Sequence, residues 1–273
     1  MPLPLLAYLP LGLAVGVLGT LVGAGGGFVL MPVLLFLNPN DSPELLTSIS
    51  LAVVLANALS GSIAYGFRRR IDYRSGVVFA LATIPGSVAG AFLTESVPRR
   101  TFDGLFGGLM VAAAAFLVLR PRVEEAPSGR RPRFAWSRAL VDADGRRHRY
   151  RYNVVLAVAL SAVVGFVSSF LGIGGGILHV PALIYLLDFP LHVATATSHF
   201  VLSVMAAAGT TVHVANGAFA HGGVRRTLLL SAGAVAGAQI GAWLSGRVHS
   251  RTILRLLAAA LGLAGARILW TAL

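Results

Sequence analysis

The sequence contains no cysteine and no lysine, and it has few charged residues of any kind. The lack of cysteine excludes disulfides, thiolate chemistry and cysteine-ligated metals. Only 12% of the 273 residues are charged and 56% are hydrophobic, a balance that predicts an integral membrane protein. The net charge of +12 comes from arginines alone, ten of them between Arg120 and Arg151. Arginines placed between apolar runs report membrane topology, so no nucleic-acid partner is expected.

Carboxylates are also missing from the interior of the apolar runs. The ten acidic residues fall in polar segments or at the edges of hydrophobic stretches: Asp41, Glu44, Asp72, Glu95, Asp103, Glu124, Glu125, Asp142, Asp144 and Asp188. Cation carriers and proton pumps usually keep a carboxylate within the membrane, so the pattern favours an anion or a neutral solute. No nucleophile–base pair or carboxylate pair is visible, so neither an enzyme activity nor a cofactor is expected.

The apolar runs predict an all-α polytopic bundle of about eight to ten transmembrane segments. The first run, residues 5–37, would be about 50 Å long as one helix, whereas a bilayer core is about 30 Å thick. It is therefore predicted to be a broken helix, a re-entrant hairpin or two short crossings, and residues 154–187 repeat it. Single spans are predicted at residues 45–67, 76–93, 102–119, 192–214, 227–244 and 253–270.

Each half of the chain opens with a glycine-rich interruption. Residues 23–27 read Gly-Ala-Gly-Gly-Gly and residues 172–176 read Gly-Ile-Gly-Gly-Gly, with a proline five positions after each. Glycine costs roughly 1 kcal/mol per residue in a helix interior, so four glycines in five positions break a helix. At membrane depth such backbone must face protein or a water-filled cavity. Broken helices in corresponding positions of two halves are typical of a transporter binding site.

The helix that follows each break would present unpaired backbone amides and the positive end of its dipole, which together favour an anion. Hydroxyl groups near the start of the next span in each half could add hydrogen bonds to an oxyanion. The alternatives are that the glycines only permit close helix packing and that the hydroxyls cap helices or bond back to helix carbonyls. The predicted substrate-binding residues are Gly25, Gly26, Gly27, Thr47, Ser48, Gly174, Gly175, Gly176, Thr197 and Ser198.

Three histidines, His179, His199 and His213, fall within spans of the second half. His179 and His199 lie close to the glycine break and to Ser198, and either could carry a proton together with an anion. The alternatives are neutral, hydrogen-bonded histidines between helices, or a metal site, for which the sequence shows no ligand spacing.

Residues 1–119 and 153–273 are predicted to be two homologous membrane repeats. Matching motifs in the two halves are separated by 149, 150 and 151 residues along the chain. The value of 150 comes from pairing Thr47-Ser48 with Thr197-Ser198. Four crossings per half would give parallel halves and five would give inverted halves, and the sequence leaves both open.

The linker, residues 120–152, is predicted to be cytoplasmic because of its arginines. A short hairpin around Asp144-Gly145 is expected there. The linker is otherwise interpreted as a solvated connector. The alternative is attraction to anionic lipid headgroups, helped by Trp136, Tyr150 and Tyr152.

The duplicated glycine motifs, the Thr-Ser pairs and the run from Leu59-Ser60-Gly61 through Tyr65 to Asp72 resemble the sulfite exporter TauE/SafE family of membrane permeases. The resemblance covers nearly the whole chain apart from the linker. It implies an inner-membrane secondary transporter, generally an exporter, of sulfite, a sulfonate or a related small organic anion. His179, His199 and the long linker depart from the family pattern. The alternatives are a non-transporting assembly or signalling component that acts through the linker, and an anion channel.

Overall fold

The computed structural model describes residues 4–119, 134–220, 223–245 and 250–272. This part of the chain forms ten α-helices and one β-hairpin. The first half contains α1 (Tyr8–Val22), α2 (Gly27–Leu37), α3 (Pro43–Phe67), α4 (Tyr73–Ser96) and α5 (Arg99–Leu119). The second contains α6 (Val154–Leu171), α7 (Gly176–Leu187), α8 (Leu191–Ala215), α9 (Val224–Leu244) and α10 (Ser250–Ala272). The hairpin strands are β1 (Ala135–Val141) and β2 (Arg147–Asn153).

Six of the described helices are long and apolar enough to cross a bilayer, namely the first, third and fourth of each half. The second helix of each half is short and apolar, with 11 residues in α2 and 12 in α7. This composition confirms the predicted all-α polytopic membrane protein.

Each opening run consists of two helices that fold back at the glycine motif. Gly23, Gly25 and Gly26 have positive φ angles, and α2 begins directly after them. The first turns of α9 contact both ends of this hairpin. Arg226 near the start of α9 bonds to Asn38 just after α2, and Gly233 of α9 packs against the start of α1. The end of α2 therefore lies on the same side of the molecule as the start of α1. The re-entrant hairpin is therefore the arrangement found among the three expected.

The two halves have opposite orientations. Gly61 of α3 lies against His199, and Gly209 of α8 lies against Leu51, so the two long helices run antiparallel. The pair α5 and α10 is antiparallel as well, since Gly107 faces Leu269 whereas Ala114 faces Gly262. Equivalent helices that run in opposite directions place the halves in inverted topology. The structure thus excludes the parallel arrangement that four crossings per half would give.

Glycines hold two parallel helix pairs at very close approach. A Cβ atom on Gly86 of α4 would lie 2.1 Å from the carbonyl oxygen of Ala162 on α6. A Cβ atom on Gly237 of α9 would lie 2.2 Å from the carbonyl oxygen of Leu13 on α1. Glycines spaced four apart, Gly86 and Gly90 in α4 and Gly237 and Gly241 in α9, therefore allow close helix packing in both halves.

The predicted hairpin is present, and it packs one face onto the membrane helices. Its strands pair antiparallel around a turn in which Gly145 has a φ of +78°. Tyr150 and Tyr152 point toward the helices and are buried, whereas the alternating Arg147, Arg149 and Arg151 are exposed on the other face. Protein covers both tyrosine rings, so of the three aromatic residues named in the lipid-headgroup alternative it is Trp136 that is exposed.

Candidate functional site

The two glycine corners, residues 23–27 and 172–176, touch each other between α3 and α8. A Cβ atom on Gly176 would lie 2.2 Å from the Cα of Ala24, and one on Gly27 would lie 2.7 Å from the carbonyl carbon of Ile173. Val54 of α3 and Leu202 of α8 cover the contact. Every residue of both corners is buried. The predicted role of the glycines in close packing is therefore visible in the structure.

Unpaired amides are the second feature of the corners. In the described part of the chain no hydrogen-bond acceptor is present for the backbone N–H groups of Gly26, Gly27 and Phe28, nor for those of Gly174, Gly175 and Ile177. These six groups include the first amides of α2 and α7, the positions where helices leave N–H groups unsatisfied. Buried unpaired donors beside two helix N-termini provide the chemistry of an anion site.

The four predicted hydroxyl groups have different partners. Thr47 lies against Gly172 and its buried Oγ1 has no partner. Ser48 donates to the carbonyl oxygen of Glu44 at 2.6 Å, the back-bonded alternative. Thr197 accepts from the backbone N–H of Asp72 at 3.0 Å, and Ser198 Oγ lies 3.3 Å from Nδ1 of His179. Of the four, Thr47 alone has both contact with a corner and an unused hydroxyl.

The structure corrects the pairing of Thr47-Ser48 with Thr197-Ser198. Helices α3 and α8 each have 25 residues and begin 148 positions apart, at Pro43 and Leu191. Thr47 packs on Gly172 in the second corner, and the equivalent contact on Gly23 in the first corner comes from Thr195. The repeated Thr-Ser dipeptide is thus two residues out of register.

A polar cluster that the sequence analysis missed lies beside the first corner. Thr20 Oγ1 donates to Asn57 Oδ1 at 3.1 Å and lies 3.3 Å from Nε2 of His199. All three side chains are buried, and Asn57 Nδ2 and His199 Nδ1 have no partner. Asn57 carries no motif of its own, so only its buried position in the middle of α3 reveals it.

The other two histidines are separated from this cluster. His179 Nε2 has no partner, and its ring lies edge-on to Phe79 with the ring centroids 6.0 Å apart. Both ring nitrogens of His213 are buried without a partner. The structure brings together no group of three His, Cys, Asp or Glu side chains able to hold a metal, among the residues it describes.

An ionised group joins the hairpin to the membrane helices. Asp72 caps the N-terminus of α4 and accepts hydrogen bonds from Arg138 on β1, from Ser75 and from the hydroxyl of Tyr150 on β2. Burial would raise the pKa of the Asp72 carboxyl, but the bonds from Arg138, Ser75 and Tyr150 outweigh it and lower this pKa to about 2. Burial and the bond to Asp72 raise the pKa of Tyr150 well above its usual range.

Three consecutive residues of α8 connect these features. Thr197 bonds to the backbone of Asp72 under the hairpin, Ser198 contacts His179 after the second corner, and His199 contacts Thr20 before the first. The hairpin attachment and both corners therefore meet on one turn of α8.

Inverted halves with paired re-entrant corners and central buried polar groups are an architecture typical of membrane transporters. The family model for the sulfite exporter TauE/SafE matches residues 8–268, and the chain belongs to this family.

Several curated proteins are similar to the chain. The probable membrane transporter protein YunE of Bacillus subtilis is 31% identical over 266 residues, which cover 95% of each chain. A probable membrane transporter protein of Xylella fastidiosa is 32% identical over 179 residues, covering 62% of this chain and 59% of that protein. A probable membrane transporter of Methanocaldococcus jannaschii is 24% identical over 212 residues, covering 76% and 70%. No solved structure matches the chain. The protein is a membrane transporter by family.

Proposed function

We propose that this transporter is a secondary carrier that exports a small anion, of the class of sulfite, sulfonates and related organic anions. The observation that carries the proposal is the set of six unpaired backbone N–H groups where the two glycine corners meet. Hydrogen-bond donors without counter-charge suit a negative solute and not a cation. The described acidic side chains support the same class, because they lie near the ends of the helices, in connections or on the hairpin, and not around the corners.

The proposed binding residues are the corner glycines Gly25–Gly27 and Gly174–Gly176, with Thr47, whose unpaired hydroxyl lies against Gly172, as a side-chain donor. Helix N-termini and a hydroxyl hold an anion without a buried cation, so the solute can also be released. Val54 and Leu202 cover the corners, so these side chains would have to move for a solute to reach the amides.

The arginines indicate the orientation. The connections and helix ends on the hairpin side, at α3–α4, α5–α6 and α9–α10, carry sixteen of the 22 arginines. The opposite connections, at α4–α5 and α8–α9, carry four: Arg99, Arg100, Arg225 and Arg226. By the positive-inside rule we place the hairpin and the linker in the cytoplasm, in an inner (plasma) membrane.

Efflux of sulfite from proteoliposomes that contain the full chain tests the proposal, with sulfate and taurine as comparison solutes. Binding is measured in parallel as ligand-dependent thermal stabilisation of the purified protein, because a ligand that binds the native state raises its unfolding temperature. Saturable efflux with no electrical current supports a carrier, whereas a conductive current supports a channel. The absence of both binding and flux for every anion would contradict the function.

A matched pair of variants tests the site. Thr47→Val removes the unpaired hydroxyl at the corner and keeps the shape of the side chain, and it should weaken anion binding about tenfold. Thr211→Val makes the same change at an exposed position of α8, where the hydroxyl only bonds back to the carbonyl oxygen of Ala207. Equal affinities for the two variants would place the anion elsewhere.

A further inference from the structure

The buried side chains Thr20, Asn57 and His199, which we call the polar trio, are arranged as a binding subsite. Thr20 Oγ1 uses its single hydrogen toward Asn57 Oδ1, so it accepts from Nε2 of His199. A neutral imidazole that donates through Nε2 keeps a lone pair on Nδ1. The trio therefore offers two N–H donors on Asn57 Nδ2 and one acceptor on His199 Nδ1. Neither atom has a partner with hydrogen-bond geometry in the described part of the chain, and the backbone carbonyls of Gly23 and Asn57 also lie near the His199 ring.

Neighbouring residues shape the trio and fix its geometry. Asn57, Gly61 and Tyr65 follow one another at intervals of four on a single face of α3. A Cβ atom on Gly61 would lie 2.4 Å from Nε2 of His199, so glycine makes room for the ring. Tyr65 donates to the carbonyl oxygen of Thr20 at 2.7 Å, and its ring meets that of His199 edge-on with the centroids 5.8 Å apart.

The positions that inverted symmetry makes equivalent to the trio show that the fold does not require polar side chains there. At the equivalent positions Ser169 stands for Thr20, Met205 for Asn57 and Leu51 for His199. There Gly209 packs against Leu51 as Gly61 packs against His199, and Ser169 Oγ is paired with Ser87 Oγ at 2.5 Å. The three equivalent residues are thus either apolar or hydrogen-bonded, whereas the polar trio keeps buried polar atoms without partners. Buried polar groups in native proteins are normally paired, so such atoms point to a missing ligand.

We propose that the polar trio binds a small oxyanion that retains one acidic hydroxyl, such as hydrogen sulfite. Asn57 Nδ2 donates to an ionised oxygen of the ligand, and His199 Nδ1 accepts from its hydroxyl. This inference rests on the proposed function and adds to it the protonation form of the solute. The corner amides are all donors, whereas His199 Nδ1 is an acceptor, so within the trio it is His199 that can distinguish a protonated oxyanion from a sulfonate, which has acceptor oxygens alone.

Two substitutions copy the inverted half and keep a core-like side chain. Asn57→Met and His199→Leu introduce the residues found at the equivalent positions 205 and 51. Met205→Leu is the control, since it changes a buried α8 residue outside the trio by a volume-conserving swap. The probes are sulfite at slightly acidic pH, where hydrogen sulfite predominates, and methanesulfonate. The readouts are the affinity from ligand-dependent thermal stabilisation and the KM and maximal rate of efflux.

His199→Leu should weaken hydrogen sulfite binding about tenfold or more and leave methanesulfonate binding unchanged. Asn57→Met should weaken the binding of both probes by a similar factor. Met205→Leu should bind both as the wild type does. A merely structural role for His199 would change the affinities for both probes in parallel, or neither, and either result would overturn the subsite.

The unfolding temperature without ligand and the elution profile show whether each variant is folded. If His199→Leu is misfolded, His199→Gln replaces it; this side chain keeps polar atoms but not the ring geometry, and it should reduce the preference for hydrogen sulfite over methanesulfonate. If wild-type protein binds both probes and the variants keep its preference, the subsite is wrong and the proposed function stands. If the wild type binds neither probe and transports neither, the proposed function fails, and the subsite with it.

Discussion

The guanidinium of Arg138 on the hairpin lies 2.6 Å from the carboxylate of Asp72 at the start of α4. Asp72 is 1% exposed, and it also receives the hydroxyl of Tyr150. The linker between the two halves is therefore fastened to the membrane helices by a buried, charge-assisted network. This arrangement differs from the solvated connector that its composition suggested.

Breaking this ion pair should destabilise the protein. Arg138→Ala leaves the buried Asp72 carboxylate without its cation. Removing one partner of a buried pair costs about 3–5 kcal/mol, and the low end is expected because the Arg138 side chain is 18% exposed. The thermal unfolding temperature of the purified protein should fall accordingly. Arg149→Ala is the control, because Arg149 is exposed on the same hairpin and faces Ala139. Equal unfolding temperatures for the two variants would show that the Arg138–Asp72 contact contributes nothing.

The acid side of the stability profile should depend on Asp72. Its folded-state pKa, about 2, lies below the ordinary value of 3.8, so its contribution is complete above about pH 4 and is lost as the pH falls toward 2. Asp72→Asn should lower stability at neutral pH and flatten this part of the profile. Unfolding temperatures measured across this range check the prediction. If the unfolding temperature of the variant fell between about pH 4 and pH 2 as steeply as that of the wild type, the prediction would be contradicted.

The alkaline side should depend on the hairpin tyrosines. Burial raises the pKa of Tyr152 to about 12, whereas an unfolded tyrosine titrates near 10. Because the folded-state pKa is the higher one, the stabilisation is complete below pH 10 and is lost as the pH rises toward 12. The ultraviolet absorbance of tyrosinate, compared between wild type and Tyr152→Phe, reports this titration. A Tyr152 that ionises near pH 10 in the folded protein would refute its burial.

Glycines at helix contacts and glycines facing open space should respond oppositely to alanine. A Cβ atom on Gly90 would lie 2.3 Å from the carbonyl oxygen of Phe166, so Gly90→Ala should cost about 1–3 kcal/mol through overpacking. No atom lies within 4 Å of a Cβ atom on Gly104 in α5, and Gly104→Ala should stabilise the helix by up to about 1 kcal/mol. Changes of the unfolding temperature in the same direction for both variants would contradict the close packing of α4 and α6.

The contact between the corners can be tested without changing a positive φ angle. Gly176 begins α7 with an ordinary backbone conformation, but its Cβ would overlap Ala24. Gly176→Ala should therefore destabilise the protein by about 1–3 kcal/mol, mainly by pushing the corners apart. Gly217→Ala is the comparison, because Gly217 has a φ of +77° and open space around it, so only backbone strain is added. Full stability of Gly176→Ala would mean that the corners do not touch in solution.

Composition and periodicity predicted the membrane helices well, because lipid imposes long apolar runs that the sequence shows directly. The breaks at residues 23–27 and 172–176 were also predictable, since glycine reports the lost helix locally. The inverted orientation was not, because it depends on which helices run antiparallel, as α3 and α8 do. That the halves arose by duplication stays a hypothesis, which the matching contacts of Thr47 and Thr195 support.

The candidate site was predicted in part. The corner glycines were found, but Thr20 and Asn57 were missed, because single polar residues within apolar helices carry no pattern. Thr197 and Ser198 were assigned to the solute, whereas the structure pairs them with Asp72 and His179. The spacing of a repeated dipeptide cannot show which face of a helix its members occupy, and a shift of two residues rotates a side chain by about 200°.

The hairpin has a consequence for the energetics of any carrier cycle. Inverted halves allow a second arrangement in which each half takes the conformation of the other. Among the described residues the only strand pair lies on one face, and its bonds to Asp72 stabilise the arrangement that the structure shows. The two end states are then unequal even though the helices are nearly symmetric. A bias of about 2 kcal/mol corresponds to a population ratio of roughly thirty to one. A carrier without solute would then favour the arrangement that the structure shows, and solute binding would have to supply the energy to leave it.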